Sequence, residues 1–303
     1  MDSEIFESYK KAGKINIKAK KLIEKLAKPG AKVLDITEKV EALIKEEGAK
    51  PAFPLNVSLN SVAAHYTPDT DCKIALGDDD IIKFDVGVQV NGYIADSALT
   101  ITTNPKNDLH IKLMDAAEKS LYKAIDLIKP GVKVEQIGET IENTMKSFGV
   151  KPIENLTGHG VDQYVQHDEP AIWNIKKAGA TLQEGMSIAI EPFSTNGAGS
   201  VYDDKEVQIF EFIGKLPVRL MEARKILQMA EKDFERLPFA KRWLEQKIGK
   251  LKLAIALREL NSFGALYQYP VLKEKGNGLV AQFEHTMIIE KDGAFVTTLE
   301  KNK

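Results

Sequence analysis

The sequence predicts an α+β fold with two pseudo-symmetric halves and a helical insertion, and two observations support this. The first is an internal repeat, in which the segment 28–33 (Lys-Pro-Gly-Ala-Lys-Val) recurs as 129–134 (Lys-Pro-Gly-Val-Lys-Val), at an offset of 129 − 28 = 101. The second is a helical block at 214–268 that interrupts the strand-like second copy. Repeated units of this kind are expected to pack as similar halves around one cleft.

Each copy is predicted to contain a long helix, a Pro-Gly turn, a second helix and then strands. The second helix of the first copy is expected to open at Asp35, with Glu38 completing a capping box. Strand character is expected to resume after the insertion at Leu279. We therefore predict a main domain formed by residues 1–213 and 269–303, and an insertion subdomain at 214–268. The remaining predicted helices are 3–27, 108–128, 134–148, 220–233, 238–247 and 251–262, and the predicted strands are 81–90, 93–103, 187–193 and 207–213.

The composition is that of a globular protein in a reducing compartment. Of the 303 residues, 43% are hydrophobic and 28% are charged, and the net charge of −2 argues against nucleic acid as the main partner. The single cysteine, Cys72, cannot form an internal disulfide. A signal peptide and a membrane span are not expected. We expect a cytoplasmic protein, and the even charge balance favours a monomer.

Two aspartates are predicted to share one face of a β-hairpin. An Asn-Gly pair at 91–92 between two strand-like runs is a strong signal for a two-residue turn. In that register Asp96 lies opposite Gly87, and Asp85 projects from the same face, about 7–8 Å away at the backbone. We expect Gly87 to leave empty space beside Asp96. Buried, these carboxylates would need a cation; exposed, they would simply be solvated, and the two strands alone leave both alternatives open.

Three further residues have the chemistry of metal ligands. His159 lies between two glycines, where the backbone can approach closely. Glu191 and Glu284 each lie within an apolar, strand-like run, where glutamate is disfavoured. Taken singly, each of the three is more typical of a structural or half-exposed side chain.

The five residues together form a set suited to divalent transition metals. Four carboxylates and one imidazole favour Mn, Fe, Co or Zn, and are too rich in oxygen for a closed structural zinc site. Two divalent ions would balance the four negative charges. A pair of ions about 3.5–4 Å apart would generate a hydroxide at neutral pH and polarise a carbonyl.

Six short motifs occur together along the chain. They are 63–68 (Ala-Ala-His-Tyr-Thr-Pro), 84–87 (Phe-Asp-Val-Gly), 95–96 (Ala-Asp), 158–160 (Gly-His-Gly), 190–191 (Ile-Glu) and 281–286 (Ala-Gln-Phe-Glu-His-Thr). In this combination the chain resembles the type 2 methionine aminopeptidases over nearly its whole length. The helical insertion before the last motif is similar to the one that separates type 2 from type 1, and the sequence resembles the shorter archaeal form. The resemblance implies the pita-bread fold, whose two α/β halves surround a dinuclear site.

The resemblance also implies a role for each site residue. Asp96 and Glu284 would bridge two divalent ions, and Glu191 would also act as the proton shuttle. Two histidines would contact the scissile peptide and steady the leaving nitrogen and the oxyanion. The implied metal ligands are Asp85, Asp96, His159, Glu191 and Glu284, the implied peptide-contacting histidines are His65 and His167, and the implied first-residue pocket includes Phe53, Leu156 and Tyr269.

The implied activity is removal of the N-terminal methionine from nascent polypeptides when the second residue is small. A hydroxide activated by two metal ions (Co, Mn, Fe or Zn) would attack the first peptide carbonyl. An enzyme of this kind is expected to work in proximity to the ribosome, with no nucleic-acid specificity and no membrane partner.

Three alternatives remain open from the sequence. A prolidase or other Xaa-Pro aminopeptidase would share the fold and the ligands, and a non-catalytic pita-bread protein would bind RNA or protein instead. In the third alternative the buried acids are structural and pair with Lys83 or Lys205. Of the other histidines, His110 is expected to be solvated at a helix start, and His285 to face away from Glu284.

Overall fold

The structure is a computed structural model, and it describes residues 1–300. Within this range the chain forms seven α-helices, which are α1 (Ser3–Leu26), α2 (Val33–Glu46), α3 (Asp108–Ile125), α4 (Val134–Ser147), α5 (Met221–Lys232), α6 (Lys241–Ile248) and α7 (Lys250–Ser262). Each predicted helix is present, with ends that differ from the prediction by three residues at most. None of the described helices has the length and apolar character needed to cross a membrane.

Sixteen strands in the described range form four sheets. In chain order they are β1 (Lys50–Pro51), β2 (Asn56–Leu59), β3 (Val62–Ala64), β4 (Ile81–Val90), β5 (Tyr93–Thr102), β6 (Lys151–Pro152), β7 (Thr157–Asp162), β8 (Val165–Trp173), β9 (Ser187–Ile190), β10 (Phe193–Thr195), β11 (Val201–Phe212), β12 (Phe239–Ala240), β13 (Leu266–Glu274), β14 (Val280–Gln282), β15 (His285–Glu290) and β16 (Gly293–Val296). The sheets have the orders β1-β4-β2 with β5 paired to β4, β14-β10-β6, β12-β11-β13-β3 and β16-β15-β9-β7-β8.

The internal repeat of the sequence is a repeat of structure. Helices α2 and α4 have 14 residues each, and both ends of α4 lie 101 positions after those of α2. Strands β1 and β6 are separated by the same 101 positions. The bridge between Lys32 and Ala75 has a counterpart between Lys133 and Thr181. The two halves predicted from the sequence are therefore confirmed.

Each half has its own apolar core between helices and sheet. In the first half, Ile23 of α1 and Val40 of α2 share a buried cluster with Phe84 of β4. In the second half, Leu121 of α3 and Ile137 of α4 share a second buried cluster with residues of the strands. Complete burial of such side chains stabilises a fold by roughly 1.5–3 kcal/mol each. The helices therefore fix the backs of the sheets whose opposite faces form the cleft.

The insertion has a third core and is bounded by two long strands. Helices α5, α6 and α7 pack around Ile226, Leu244 and Leu257. The chain leaves β11 and returns along β13, which pairs with it antiparallel. Strand structure thus resumes at Leu266, so the prediction of Leu279 was wrong, and residue 269 lies inside β13.

Two local predictions were also wrong. Helix α2 begins at Val33, and its N-terminus has no side-chain cap, so there is no capping box from Asp35 to Glu38. His110 is 1% exposed rather than solvated, because the ring packs beneath the end of β5 and its Nδ1 lies 2.7 Å from the Thr102 hydroxyl. His285, which was expected to face away from Glu284, is buried with Nδ1 2.7 Å from the Thr298 hydroxyl.

Candidate active site

Asp85 and Asp96 lie on the central hairpin in the register that the turn predicts. Asp96 pairs with Gly87 across β4 and β5, and both aspartates line a cavity of about 360 Å³. The expected empty space at Gly87 is absent. A Cβ placed there would lie 2.2 Å from Cε1 of the Phe53 ring, so Phe53 occupies the space that the missing side chain leaves.

His159 reaches the cavity from β7 in the second half. Its flanking glycines allow close strand packing, since a Cβ on Gly158 would lie 2.3 Å from the carbonyl oxygen of Ala189. The His159 Nδ1 lies 3.0 Å from the carbonyl oxygen of Gly160. A carbonyl only accepts, so Nδ1 carries the proton and Nε2 presents a lone pair to the cavity. His159 is therefore in the tautomer that a metal ligand requires.

Glu191 and Glu284 lie at breaks in the sheet, so the expectation that each lies within a strand was wrong, and the predicted strand 187–193 is interrupted after Ile190. Glu191 directly follows β9, and Glu284 falls between β14 and β15. The Glu284 N–H donates to the carbonyl of Ala98 at 3.0 Å. The amide Nε2 of Gln282 donates to Oε2 of Glu191 at 3.2 Å. The two residues thus interrupt strand pairing where they enter the cavity, and Glu284 is held through its own backbone N–H, whereas the Glu191 carboxylate is held by the Gln282 amide.

These side chains from different parts of the chain converge at one point. Donor atoms of Asp96, His159 and Glu284 all lie within 4.8 Å of one another. The His159 Nε2 lies 3.6 Å from Oε1 of Glu191 and 3.9 Å from Oδ2 of Asp96. All ten residues selected from the sequence line the same cavity, namely Phe53, His65, Asp85, Asp96, Leu156, His159, His167, Glu191, Tyr269 and Glu284.

The carboxylates are strongly destabilised in their charged forms. Burial raises the pKa of Asp85 to about 7. Burial, and then the neighbouring negative charges, raise the pKa values of Asp96, Glu191 and Glu284 well above their usual range. Such a cluster needs positive charge at neutral pH if its members are to be ionised together.

The donor set fits divalent cations better than pairing with Lys83 or Lys205. The Oδ1 atoms of Asp85 and Asp96 are buried and have no hydrogen-bond partner in the described structure. Lys83 does not neutralise them, because its buried Nζ donates to the carbonyl of Asn60 at 2.8 Å. Lys205 is exposed. The third alternative, in which Lys83 or Lys205 pairs with the acids, is therefore not supported.

Two more histidines face the same cavity. The His65 Nδ1 lies 3.3 Å from the carbonyl oxygen of Pro270, so Nδ1 is the protonated nitrogen and Nε2 is free to accept. His65 has a left-handed backbone with φ 64°, a conformation that costs energy and that persists where the surroundings enforce it. The His167 ring lies 4.6 Å from that of His159, centroid to centroid. Desolvation lowers the pKa of His65 to about 4, and desolvation together with the neighbouring His159 and His65 rings lowers the pKa of His167 well below its usual range, so both rings are neutral at pH 7.

Several cavity residues were not found from the sequence. Ile209 of β11 and Pro238 of the insertion add to its apolar side, and Gln166, Asp203 and Tyr267 add polar groups. None of them belongs to a motif or a periodic pattern, so no local signal marks them. Gln282, whose amide donates to Glu191, lies within the 281–286 motif and could have been noticed there, two residues before Glu284.

A family comparison agrees with this arrangement. The model of the family described as metallopeptidase family M24 matches residues 7–291. The chain belongs to metallopeptidase family M24. The match includes all ten of the residues selected from the sequence, and it extends through the insertion to the final strands.

A curated relative within this family is more specific. The chain is 45% identical, over 294 residues, to the methionine aminopeptidase of Thermococcus onnurineus, and the match covers 96% of this chain and 99% of that one. The resemblance to methionine aminopeptidases inferred from the six motifs is confirmed.

Solved structures show the same fold. The methionine aminopeptidase of Thermotoga maritima superposes with a TM-score of 0.73 at 24% identity, covering 99% of this chain and 98% of that chain. A structure described as a thermophilic Arx1 superposes with a TM-score of 0.89 at 21% identity, covering 100% and 93%. At these identities the likeness concerns the fold alone, and it confirms the predicted pita-bread architecture of this M24 member.

Proposed function

We propose that this protein removes the N-terminal methionine from polypeptides whose second residue is small. The observation that carries the proposal is the buried cluster of four carboxylates and His159, which opens into the same cavity as two neutral histidines. The 45% identity to a methionine aminopeptidase, over almost all of both chains, supports this substrate over an Xaa-Pro peptide. The intact ligand set argues against a purely binding role.

Two divalent ions would be held by the five ligand residues. In the roles that the resemblance implies, Asp96 and Glu284 would hold both ions, Asp85 would hold one of them, and His159 with Glu191 would hold the other. When bound, the ions would supply a hydroxide at neutral pH and polarise the first peptide carbonyl. The five side chains offer only oxygen and nitrogen donors, which suits Mn, Fe, Co or Zn.

The remaining polar residues would handle protons and position the peptide. Glu191 would act as the proton shuttle that the family resemblance implies, and the hydrogen bond it accepts from Gln282 orients its carboxylate. His65 presents an unprotonated Nε2, which can accept the N–H of the scissile peptide. His167 can donate to the oxygen that becomes negative in the transition state.

The apolar side of the cavity would bind the methionine side chain. Phe53, Leu156, Ile209 and Pro238 provide apolar surface next to the carboxylates. Tyr269 borders this region, and its hydroxyl donates to the Glu211 carboxylate, which fixes the ring. A flexible thioether fits such an irregular apolar surface well.

Cellular setting and organisation complete the proposal. We propose a cytoplasmic monomer that acts on nascent chains in proximity to the ribosome. The absence of a spanning helix among the described residues is compatible with that setting. We also propose that residues 214–268 form a subdomain carried by a catalytic domain of residues 1–213 and 269–303.

Metal reconstitution tests the activity and the substrate together. Metal-stripped protein would be reloaded with Mn, Fe, Co or Zn and offered a Met-Ala-Ser peptide beside an Xaa-Pro dipeptide. We expect release of free methionine and no cleavage of the dipeptide. Cleavage of the dipeptide alone would show that the substrate assignment is wrong.

A paired substitution tests the site. His159→Ala combined with Asp96→Asn removes one ligand from each half, and we expect it to abolish methionine release. His110→Ala, which changes a buried histidine outside the cavity, serves as the matched control. Activity that survives the double substitution would refute the ligand assignment.

A further inference from the structure

A short turn of the insertion, residues 233–238, forms part of the apolar wall of the cavity. It follows α5 and leads into β12. Its last residue, Pro238, is buried and lines the cavity. Leu237 is 3% exposed and belongs to the same small buried cluster as Phe53, which also lines the cavity. The insertion therefore supplies the wall directly, through Pro238, and supports it indirectly, through Phe53.

The backbone of this turn is strained. Glu235 and Arg236 have φ values of 56° and 69°, so two consecutive residues with side chains occupy the left-handed region. Such residues rarely adopt this conformation, and it persists only where surrounding contacts impose it. Two sets of contacts impose it here.

One set of contacts comes from the Glu235 side chain. Its carboxylate accepts a hydrogen bond from Nζ of Lys50 at 2.8 Å and another from Nε2 of Gln89 at 2.7 Å. These partners are opposite one another in the pairing of β1 with β4. Glu235 therefore attaches the turn to the strand that also carries Asp85.

The other set lies just beyond the turn and is buried. Arg242 is 2% exposed, and its two terminal nitrogens donate to Glu41 of α2 at 2.8 and 3.2 Å. Trp243 Nε1 donates to the same carboxylate at 2.8 Å. The Glu41 carboxylate also accepts from the N–H of Leu55 at 3.3 Å, two residues after Phe53. A single buried carboxylate thus connects α2, α6 and the segment that carries Phe53.

We propose that Glu235 and the Glu41–Arg242 pair are positioning residues that hold the 233–238 turn against Phe53 and thereby set which first side chain the cavity accepts. This inference rests on the proposed function, since it concerns selectivity at the same cavity. Neither group touches the substrate. Both act by fixing the distance between Pro238 and the hairpin that carries the carboxylates.

Two variants break the anchors without adding strain. Glu235→Gly removes both hydrogen bonds, and glycine adopts a positive φ at no steric cost. Glu41→Met combined with Arg242→Met replaces the buried ion pair with apolar groups. Because this double variant also leaves Trp243 Nε1 and the Leu55 N–H without their acceptor, Glu235→Gly is the deciding variant. Lys250→Ala is the matched control, because Lys250 also joins the insertion to the first half, through Asp71 at 2.7 Å, but is exposed and outside the cavity.

The measurement compares kcat and KM for Met-Ala-Ser and Phe-Ala-Ser peptides with the metal-loaded enzyme. In both anchor variants we expect the ratio of kcat/KM for Met over Phe to fall by about tenfold or more, mainly through KM, the range in which apolar pockets discriminate by size. A merely structural role would lower kcat/KM for both peptides by the same factor. Lys250→Ala should leave the ratio unchanged.

Hydrogen exchange of residues 233–238 gives a second readout that does not need activity. We expect exchange in the turn to become faster in Glu235→Gly than in the wild type. An unchanged ratio together with unchanged exchange in folded Glu235→Gly would overturn the inference, whatever the double variant does. A wild-type enzyme that cleaves no methionyl peptide would instead overturn the proposed function, and the exchange result would still decide whether the anchors hold the turn.

Discussion

Replacing Asp85 by asparagine should stabilise the metal-free protein at alkaline pH, although the same change weakens metal binding. Burial raises the pKa of the Asp85 carboxyl from 3.8 to about 7. The contribution of this carboxyl to stability is complete below pH 3.8 and is lost between pH 3.8 and about 7, because the unfolded chain ionises in that range whereas the buried carboxyl stays protonated. At about 1.4 kcal/mol per pH unit, the whole loss is at most about 4 kcal/mol, and about 3 kcal/mol of it falls between pH 5 and pH 8.

The assay is urea unfolding in the presence of a chelator, for wild type and Asp85→Asn, at pH 5 and at pH 8. We expect the free energy of unfolding of the variant to rise relative to wild type by about 3 kcal/mol between the two pH values. Asp115→Asn, at a side chain that is 43% exposed, is the control and should show no such change. Added metal should reverse the order at pH 8, since only the wild type keeps all five ligands.

The reasoning is refuted if wild type and Asp85→Asn respond to pH in parallel in the metal-free state. Parallel curves would mean that Asp85 is solvated or already paired. Its carboxylate would then be neither buried nor without a hydrogen-bond partner. They would also remove the physical reason for expecting a cation at this place.

Three further predictions concern catalysis. Gly87→Ala should lower kcat/KM for methionyl peptides on the order of 10²-fold, because its Cβ would lie 2.2 Å from the Phe53 ring and displace it; wild-type kinetics would contradict this. Glu191→Gln should lower kcat on the order of 10²- to 10⁴-fold by removing the proton shuttle, and an unchanged kcat would exclude that role. Burial lowers the pKa of His65 to about 4, so His65 stays neutral from pH 8 to pH 6. The dependence of kcat on pH over this range should therefore have the same shape in wild type and in His65→Asn.

The hairpin could be predicted from the sequence because its geometry is local. A two-residue turn fixes the register, and the register fixes which side chains share a face, so the relation of Asp85 to Asp96 follows from a few neighbouring residues. The occupation of the space at Gly87 could not be predicted in the same way. Phe53 reaches that space from the connection between β1 and β2, 34 positions earlier (87 − 53), and no local pattern reports such a contact.

Burial and interrupted strands were harder to predict for related reasons. His110 has polar sequence neighbours, but the end of β5 covers it, so its burial depends on tertiary packing. The strand from Leu266 to Glu274 contains Pro270, which argues against a central strand. In the structure Pro270 pairs at an irregular position of β11, where the register shifts on both sides of Val207, and a proline is tolerated at such a bulge.

The distribution of the ligands along the chain has a consequence for biosynthesis. Glu284 is translated 284 − 85 = 199 residues after Asp85. At roughly 5–20 residues per second, this separation corresponds to roughly 10–40 s of synthesis. During that time Asp85 and Asp96 exist without their last carboxylate partner, so an emerging chain cannot complete the site. The complete set of proposed ligands therefore exists only after Glu284 has been translated, close to the end of the synthesis of each molecule.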